Sequence, residues 1–375
     1  MGTMHTPTGA ETGTGAVPNL HRASGRFHRL RSGTAARVPG LALAVVIAVV
    51  ATVIGRFVPL VGGPVSAIVI GVALATLIKP GDRLRPGINT AGKFILQLSV
   101  VVLGSQLSLA QIAQVGLESL PVMLGTLVVC LTAAYLLGRW LGIVGDLRTL
   151  IGVGTGICGA SAIAAVTPVI GAVSVDVAYA ISTIFLFNIA AVLTFPLIGH
   201  LLGMSQHAFG LFAGTAVNDM SSVVATAATY GSTATNFAVV VKLVRTLMII
   251  PICLGLAAWA GHRLKTGNRL PASGVAETGP APRARVNVFR LVPWFLIGFL
   301  LIAAINTLGL IPDAAHPGLS TLSVFLITVA LSAIGLSTDL GGFRRAGMKP
   351  LFLGALLWII VTLTSLGLQY ATGLN

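Results

Sequence analysis

A chain of 375 residues that is 55% hydrophobic and 9% charged, with a mean hydropathy of +0.96, is not a soluble globular domain, because such domains carry about 25% charged residues. Three cysteines (Cys130, Cys158, Cys253) are too few for a secreted disulfide scaffold, and each lies inside an apolar run. Repeated apolar runs of about 20 residues leave a polytopic helical membrane protein, and the short alternating segments of a β-barrel are missing from the sequence.

Residues 1–38 read as a flexible basic cytoplasmic tail, rich in Gly, Thr and Ser and carrying Arg22, Arg26, Arg29, Arg31 and Arg37. A cleaved signal peptide is the competing reading. It fails on the length of the basic region and on the spans that follow. The rest, 39–375, reads as one transmembrane transporter domain. Its apolar segments fall at 39–55, 60–79, 91–108, 117–138, 149–171, 175–202, 208–229, 237–260, 290–312, 321–340 and 350–372, which predicts about eleven transmembrane helices.

With the N-terminus placed inside, nineteen of the 23 Lys and Arg residues fall in the tail or in inside loops. Arg56 alone falls outside, and Lys93, Lys242 and Arg245 fall within spans. The positive-inside rule therefore predicts a cytoplasmic N-terminus, an external C-terminus and an inner-membrane location. Topology thus accounts for the net charge of +14, and nucleic acid is not needed as a partner. A polar stretch at 262–289 reads as a cytoplasmic linker. Across it, 103–120 and 334–351 echo each other at Gly104/Gly335, Leu109/Leu340, Gly116/Gly347 and Leu120/Leu351, in opposite membrane orientations. Inverted repeats with broken helices mark secondary transporters, whose substrate site forms near the midplane.

Three stretches carry the candidate chemistry. In GVGTGICGASAIAAVTPVI (152–170), four glycines in eight residues and Pro168 predict a broken helix with Gly156, Cys158, Gly159 and Ser161 at the break. Its free N–H groups would suit an anion, and close helix packing of small residues is the plainer alternative. In GTAVNDMSSVVAT (214–226), Gly214, Thr215, Ser221 and Ala225 match Gly154, Thr155, Ser161 and Ala165 at an offset of 60. With both segments crossing the membrane in the same direction, that match predicts no inverted repeat, and a re-entrant segment or chance is left open. Asp219 is a mid-span carboxylate beside Asn218, Ser221 and Ser222, which predicts a proton-coupling group or, alternatively, a helix cap or an ion pair with Lys242 or Arg245. In FAVVVKLVRTLMIIP (237–251), Lys242 and Arg245 share one helix face roughly 8 and 12 Å below the outer edge, which predicts two anion ligands. Lys93 reads as a snorkelling anchor. Histidine spacing offers no metal site, and no cofactor is expected.

The motifs ICGASAIAAVTPV (157–169), AVNDMSSVVA (216–225), KLVRTLMIIP (242–251) and GLSTDLGGFRRAGMKPL (335–351) resemble the YeiH-type family of bacterial multi-spanning membrane proteins, named as sulfate exporters. The resemblance implies an inner-membrane transporter exporting sulfate, sulfite or an organosulfonate, with a fold similar to the cation:proton antiporter and anion transporter group. Many members of that family carry His, Glu and Gln where Asn218, Asp219 and Ser222 stand here. The sequence-based expectation is thus an all-α secondary transporter, not an enzyme, for a small anion in a lipid bilayer, with H⁺ or Na⁺ as coupling ion. A homo-oligomer is compatible with it. The alternatives are a cation:proton antiporter using Asp219 and a membrane scaffold or enzyme without transport.

Overall fold

The computed structural model describes residues 37–57, 62–78, 81–265, 293–337 and 348–374. The tail up to residue 36 and most of the 262–289 linker lie outside the described residues, as do 338–347 of the 334–351 echo. Every described element is helical. In chain order they are α1 (Val38–Phe57), α2 (Gly62–Ile78), α3 (Arg85–Gln106), α4 (Leu109–Trp140), α5 (Gly145–Gly156), α6 (Ala160–Ile170), α7 (Ser174–Leu201), α8 (Gln206–Ala216), α9 (Met220–Ala228), α10 (Ser232–Leu247), α11 (Ile249–Lys265), α12 (Trp294–Thr307), α13 (His316–Leu336) and α14 (Met348–Thr372).

Local chemistry sets the ends of these helices. Ser108 and Gln111 form a reciprocal capping box that starts α4, and Ser205 accepts the Ala208 N–H to start α8. Pro121 and Pro196 lie inside α4 and α7, where long flanking apolar stretches hold the helix together. In α3 the chain winds as a π turn over Ala91–Ile95 and closes with a 3₁₀ turn at Gly104–Gln106. Lys93 is exposed within that π turn.

Seven elements are long and apolar enough to cross a membrane, α10 running into α11 to form one of them. The shorter α2 and α12, of 17 and 14 residues, pack among these. The helices form two bodies. In the first, α13 packs on α1, α2 and α3, with α12 against α3. The Gly71–Gly335 crossing brings α2 and α13 into backbone contact, since a Cβ on Gly71 would sit 3.0 Å from the Gly335 Cα. In lipid, where apolar association has no hydrophobic drive, such close approach supplies the dispersion contact that holds helices together. The second body contains α4–α11 and α14, with cores around Ile151, Ile163 and Cys253 and around Phe195, Phe209 and Phe212. A core containing Leu96, Val224, Val240 and Leu331 joins the two bodies.

The segments 149–171 and 208–229 differ from the expected crossing spans. Along α4, Gly138 faces Arg148, Gly152 faces Ala134, and Gly156 faces Leu127 and Cys130, so α5 descends antiparallel to α4. It stops about half way, because twelve residues rise only about 18 Å. The chain then turns back. α6 packs on α11, and the carboxylates of Asp176, at the start of α7, and Asp146, at the start of α5, are close enough to repel. Thus α5–α6 is a re-entrant hairpin. The second broken segment behaves alike from the opposite face. α8 runs alongside α10, with Gly210 against Phe237 and Gly214 against Val241, and α9 returns so that the Tyr230 hydroxyl donates to the Met204 carbonyl at 2.6 Å. The offset-60 match therefore relates two hairpins that point towards each other, a local inverted repeat. Since both fold back, the side on which every later helix ends is unchanged.

Candidate functional site

The hairpin tips, 157–159 and 217–219, meet. A Cβ on Gly159 would lie 3.2 Å from the Asp219 Cβ. Gly159 holds φ 69° and ψ −132°, a conformation that costs any other residue strain, and its N–H closes the turn onto the Gly154 carbonyl at 2.9 Å. In the second tip, Val217 and Asp219 are extended, and Asp219 is the N-cap of α9. Its carboxylate accepts the Ser221 N–H at 3.0 Å and also contacts the Ser221 hydroxyl. Four helix ends converge here as a result: the C-termini of α5 and α8 and the N-termini of α6 and α9.

Lys242 and Arg245, both fully buried on α10, serve the two C-terminal ends. The Lys242 ammonium donates to the Val217 carbonyl at 2.6 Å, and Arg245 Nε donates to the Gly156 carbonyl at 2.7 Å. Arg245 Nη1 donates to the Thr215 carbonyl. One guanidinium therefore clamps both hairpins, using the fork that a lysine lacks. Each helix C-terminus bears about half a negative charge, so cations at this point satisfy orphan carbonyls and oppose the dipoles together. Among the described residues neither cation is ion-paired to Asp219, the arrangement offered above as their alternative.

Asn188, midway along α7, completes the tip. Its Oδ1 accepts the N–H groups of Asn218 and Asp219 at 3.2 and 3.3 Å. Those two donors fix the orientation of the amide, leaving Nδ2 as the free end. Among the described residues, three buried side-chain atoms around the tips lack a hydrogen-bond partner: Asn188 Nδ2, Asn218 Oδ1 and Arg245 Nη2. Unsatisfied polar groups at this depth are costly and require an explanation. A hydroxyl chain reaches the clamp from α14, with Ser365 Oγ 2.6 Å from Thr215 Oγ1 and 3.2 Å from the Gln369 amide oxygen.

Of the residues singled out from sequence, Gly156, Cys158, Gly159, Asn218, Ser221, Lys242 and Arg245 are buried at this junction, and Asp219 and Ser222 are half-buried. Cys158 has Lys242 and Asp219 as electrostatic neighbours. Ser161, one residue into α6, is exposed. Sequence reasoning missed Asn188 and the carbonyls of Val217 and Thr215. A signal for Asn188 existed, since it is the single amide in the 28-residue apolar α7.

These features define a polytopic α-helical membrane protein in which paired re-entrant hairpins meet on buried cations. The chain belongs to the YeiH-type family described as conserved hypothetical protein 698, whose family model matches residues 39–354. It is 43% identical over 342 residues to a UPF0324 membrane protein of Streptococcus pyogenes serotype M6, covering 90% of this chain and 98% of that relative. A UPF0324 membrane protein of Streptococcus mutans serotype c is 42% identical over 346 residues, with 90% and 98% covered. One from Clostridium tetani is 38% identical over 338 residues, with 89% and 97% covered.

Proposed function

We propose that the protein is a secondary transporter of a small anion such as sulfate, sulfite or an organosulfonate. It would reside in the inner membrane with its N-terminus cytoplasmic, acting as a carrier and not as an enzyme. The observation that carries this reading is the meeting of the two hairpin tips, Gly159 on Asp219, half way across the helical body. Non-helical backbone at membrane depth is tolerated where it is buried in protein or lines a cavity, and transporter sites form at such discontinuities between repeats.

The junction favours an anion over a cation. A cation would seek the negative C-terminal ends of α5 and α8, and Lys242 and Arg245 already occupy both. The N-terminal ends of α6 and α9 face the same junction with positive dipoles, of which Asp219 offsets one. Asp219 is the carboxylate through which a proton gradient would couple to the cycle. Purified protein in proteoliposomes tests this reading. Saturable flux of sulfate, sulfite or taurine, accelerated by an imposed pH gradient, is expected. Cation-driven proton flux without anion flux would establish the antiporter instead, and no saturable flux of any solute would leave the scaffold reading.

A further inference from the structure

The transport reading leaves open what kind of anion the junction takes, and charge together with the three unpartnered atoms narrows this. We infer that the hairpin junction is built for a singly charged oxyanion that brings a hydrogen-bond donor of its own, in preference to a dianion such as sulfate. The inference rests on the transporter reading for its biological use but not for its chemistry.

Charge is the first ground. Counted at their formal charges, Lys242 and Arg245 contribute +2, and the C-termini of α5 and α8 they cap remove about one in total, at roughly half a charge per helix end. The N-termini of α6 and α9 add back about one, and the Asp219 carboxylate that caps α9, at its formal charge, removes one. The junction is left at about +1. A monoanion neutralises it, whereas a dianion would leave an uncompensated buried negative charge, which is strongly unfavourable.

Hydrogen-bond inventory is the second, independent ground. Arg245 Nη2 and Asn188 Nδ2 are free donors, and Asn218 Oδ1 is a free acceptor. All three side chains are at most 2% exposed. The other atoms of each group tie them to the tips: Arg245 through the Gly156 and Thr215 carbonyls, Asn188 through the Asn218 and Asp219 N–H groups. An oxyanion satisfies the two donors. It cannot satisfy Asn218 Oδ1, which requires a hydroxyl, an amine or an acidic proton on the ligand. A ligand class that fits all three is a sulfonate bearing a hydroxyl, or a monoprotonated oxyanion.

The full chain in detergent, titrated with three salts at one pH and ionic strength, tests this by thermal shift. Isethionate (2-hydroxyethanesulfonate) carries one charge and a hydroxyl, methanesulfonate one charge and no donor, and sulfate two charges and no donor. Isethionate should bind about fivefold more tightly than methanesulfonate, the worth of about one net hydrogen bond, and sulfate at least tenfold more weakly than isethionate. Asn218→Leu, which removes the free acceptor without removing a partner from any tip donor, should bind isethionate and methanesulfonate alike. Sulfate equal to or tighter than isethionate would overturn the charge argument. Equal binding of the two sulfonates by the wild type, or an unchanged preference in Asn218→Leu, would overturn the donor argument, and no stabilisation by any of the three would overturn both. Selective binding without flux in proteoliposomes would leave the ligand class standing and remove the transporter reading.

Discussion

Arg245 on α10 and Gly159 in the first tip hold the same junction from two directions. The guanidinium binds the carbonyl of Gly156 just before the turn, and Gly159 rests on Asp219 just after it. The first tip is therefore fastened to α10 by a charge and to the second tip by close packing, so lesions at the two positions should differ in kind.

Gly159→Ala forces a side chain onto φ 69° and to within 3.2 Å of the Asp219 Cβ. A cost of about 1–3 kcal/mol is expected from the backbone strain. The thermal midpoint should fall moderately and flux should fall much further, because the tips can no longer meet. Near-normal flux at wild-type stability would contradict the close contact.

Arg245→Ala strands the Gly156 and Thr215 carbonyls in a buried site, at about 1–3 kcal/mol for each unsatisfied group. Arg245→Lys keeps the charge but lacks the fork, so its stability should lie between wild type and alanine. Denaturation in mixed micelles gives the ranking, and a lysine variant as poor as alanine would make the charge irrelevant to the clamp.

Two substitutions at Asn188 separate support from binding. Asn188→Leu removes the acceptor for the Asn218 and Asp219 N–H groups and should lower stability by about 1–3 kcal/mol. Asn188→Asp keeps that acceptor, so it should fold, but it replaces the free donor with negative charge. Anion-dependent stabilisation should be lost in the aspartate variant while its ligand-free midpoint stays near wild type.

Labelling checks the hairpin topology. Val144 and Val173, both exposed, precede α5 and α7 and lie on one face if α5–α6 folds back. Val144→Cys and Val173→Cys should react with a membrane-impermeant maleimide from the same side, and Leu202→Cys from the other. The native cysteines Cys130, Cys158 and Cys253 are buried and should contribute little background. Val144→Cys labelling from the same side as Leu202→Cys, with Val173→Cys on the other, would restore straight crossing spans.

Much of this molecule follows from its sequence alone. Hydropathy marks the apolar segments, and outside the hairpin tips their described residues are mainly helical, because lipid leaves the backbone no partner but itself. Glycine spacing around 152–159 and the lone carboxylate Asp219 also mark where helices break, since both are costly in an unbroken span. Only the tertiary structure decided that the broken segments turn back. A hairpin arm and half of a crossing helix have the same length and composition, and Gly159 and Ile157 differ from a simple kink only in their dihedral angles. It likewise decided what Lys242 and Arg245 touch. Sequence places two cations on one helix face, but their partners are the backbone carbonyls of Gly156, Thr215 and Val217, and a carbonyl leaves no mark in a sequence because every residue has one.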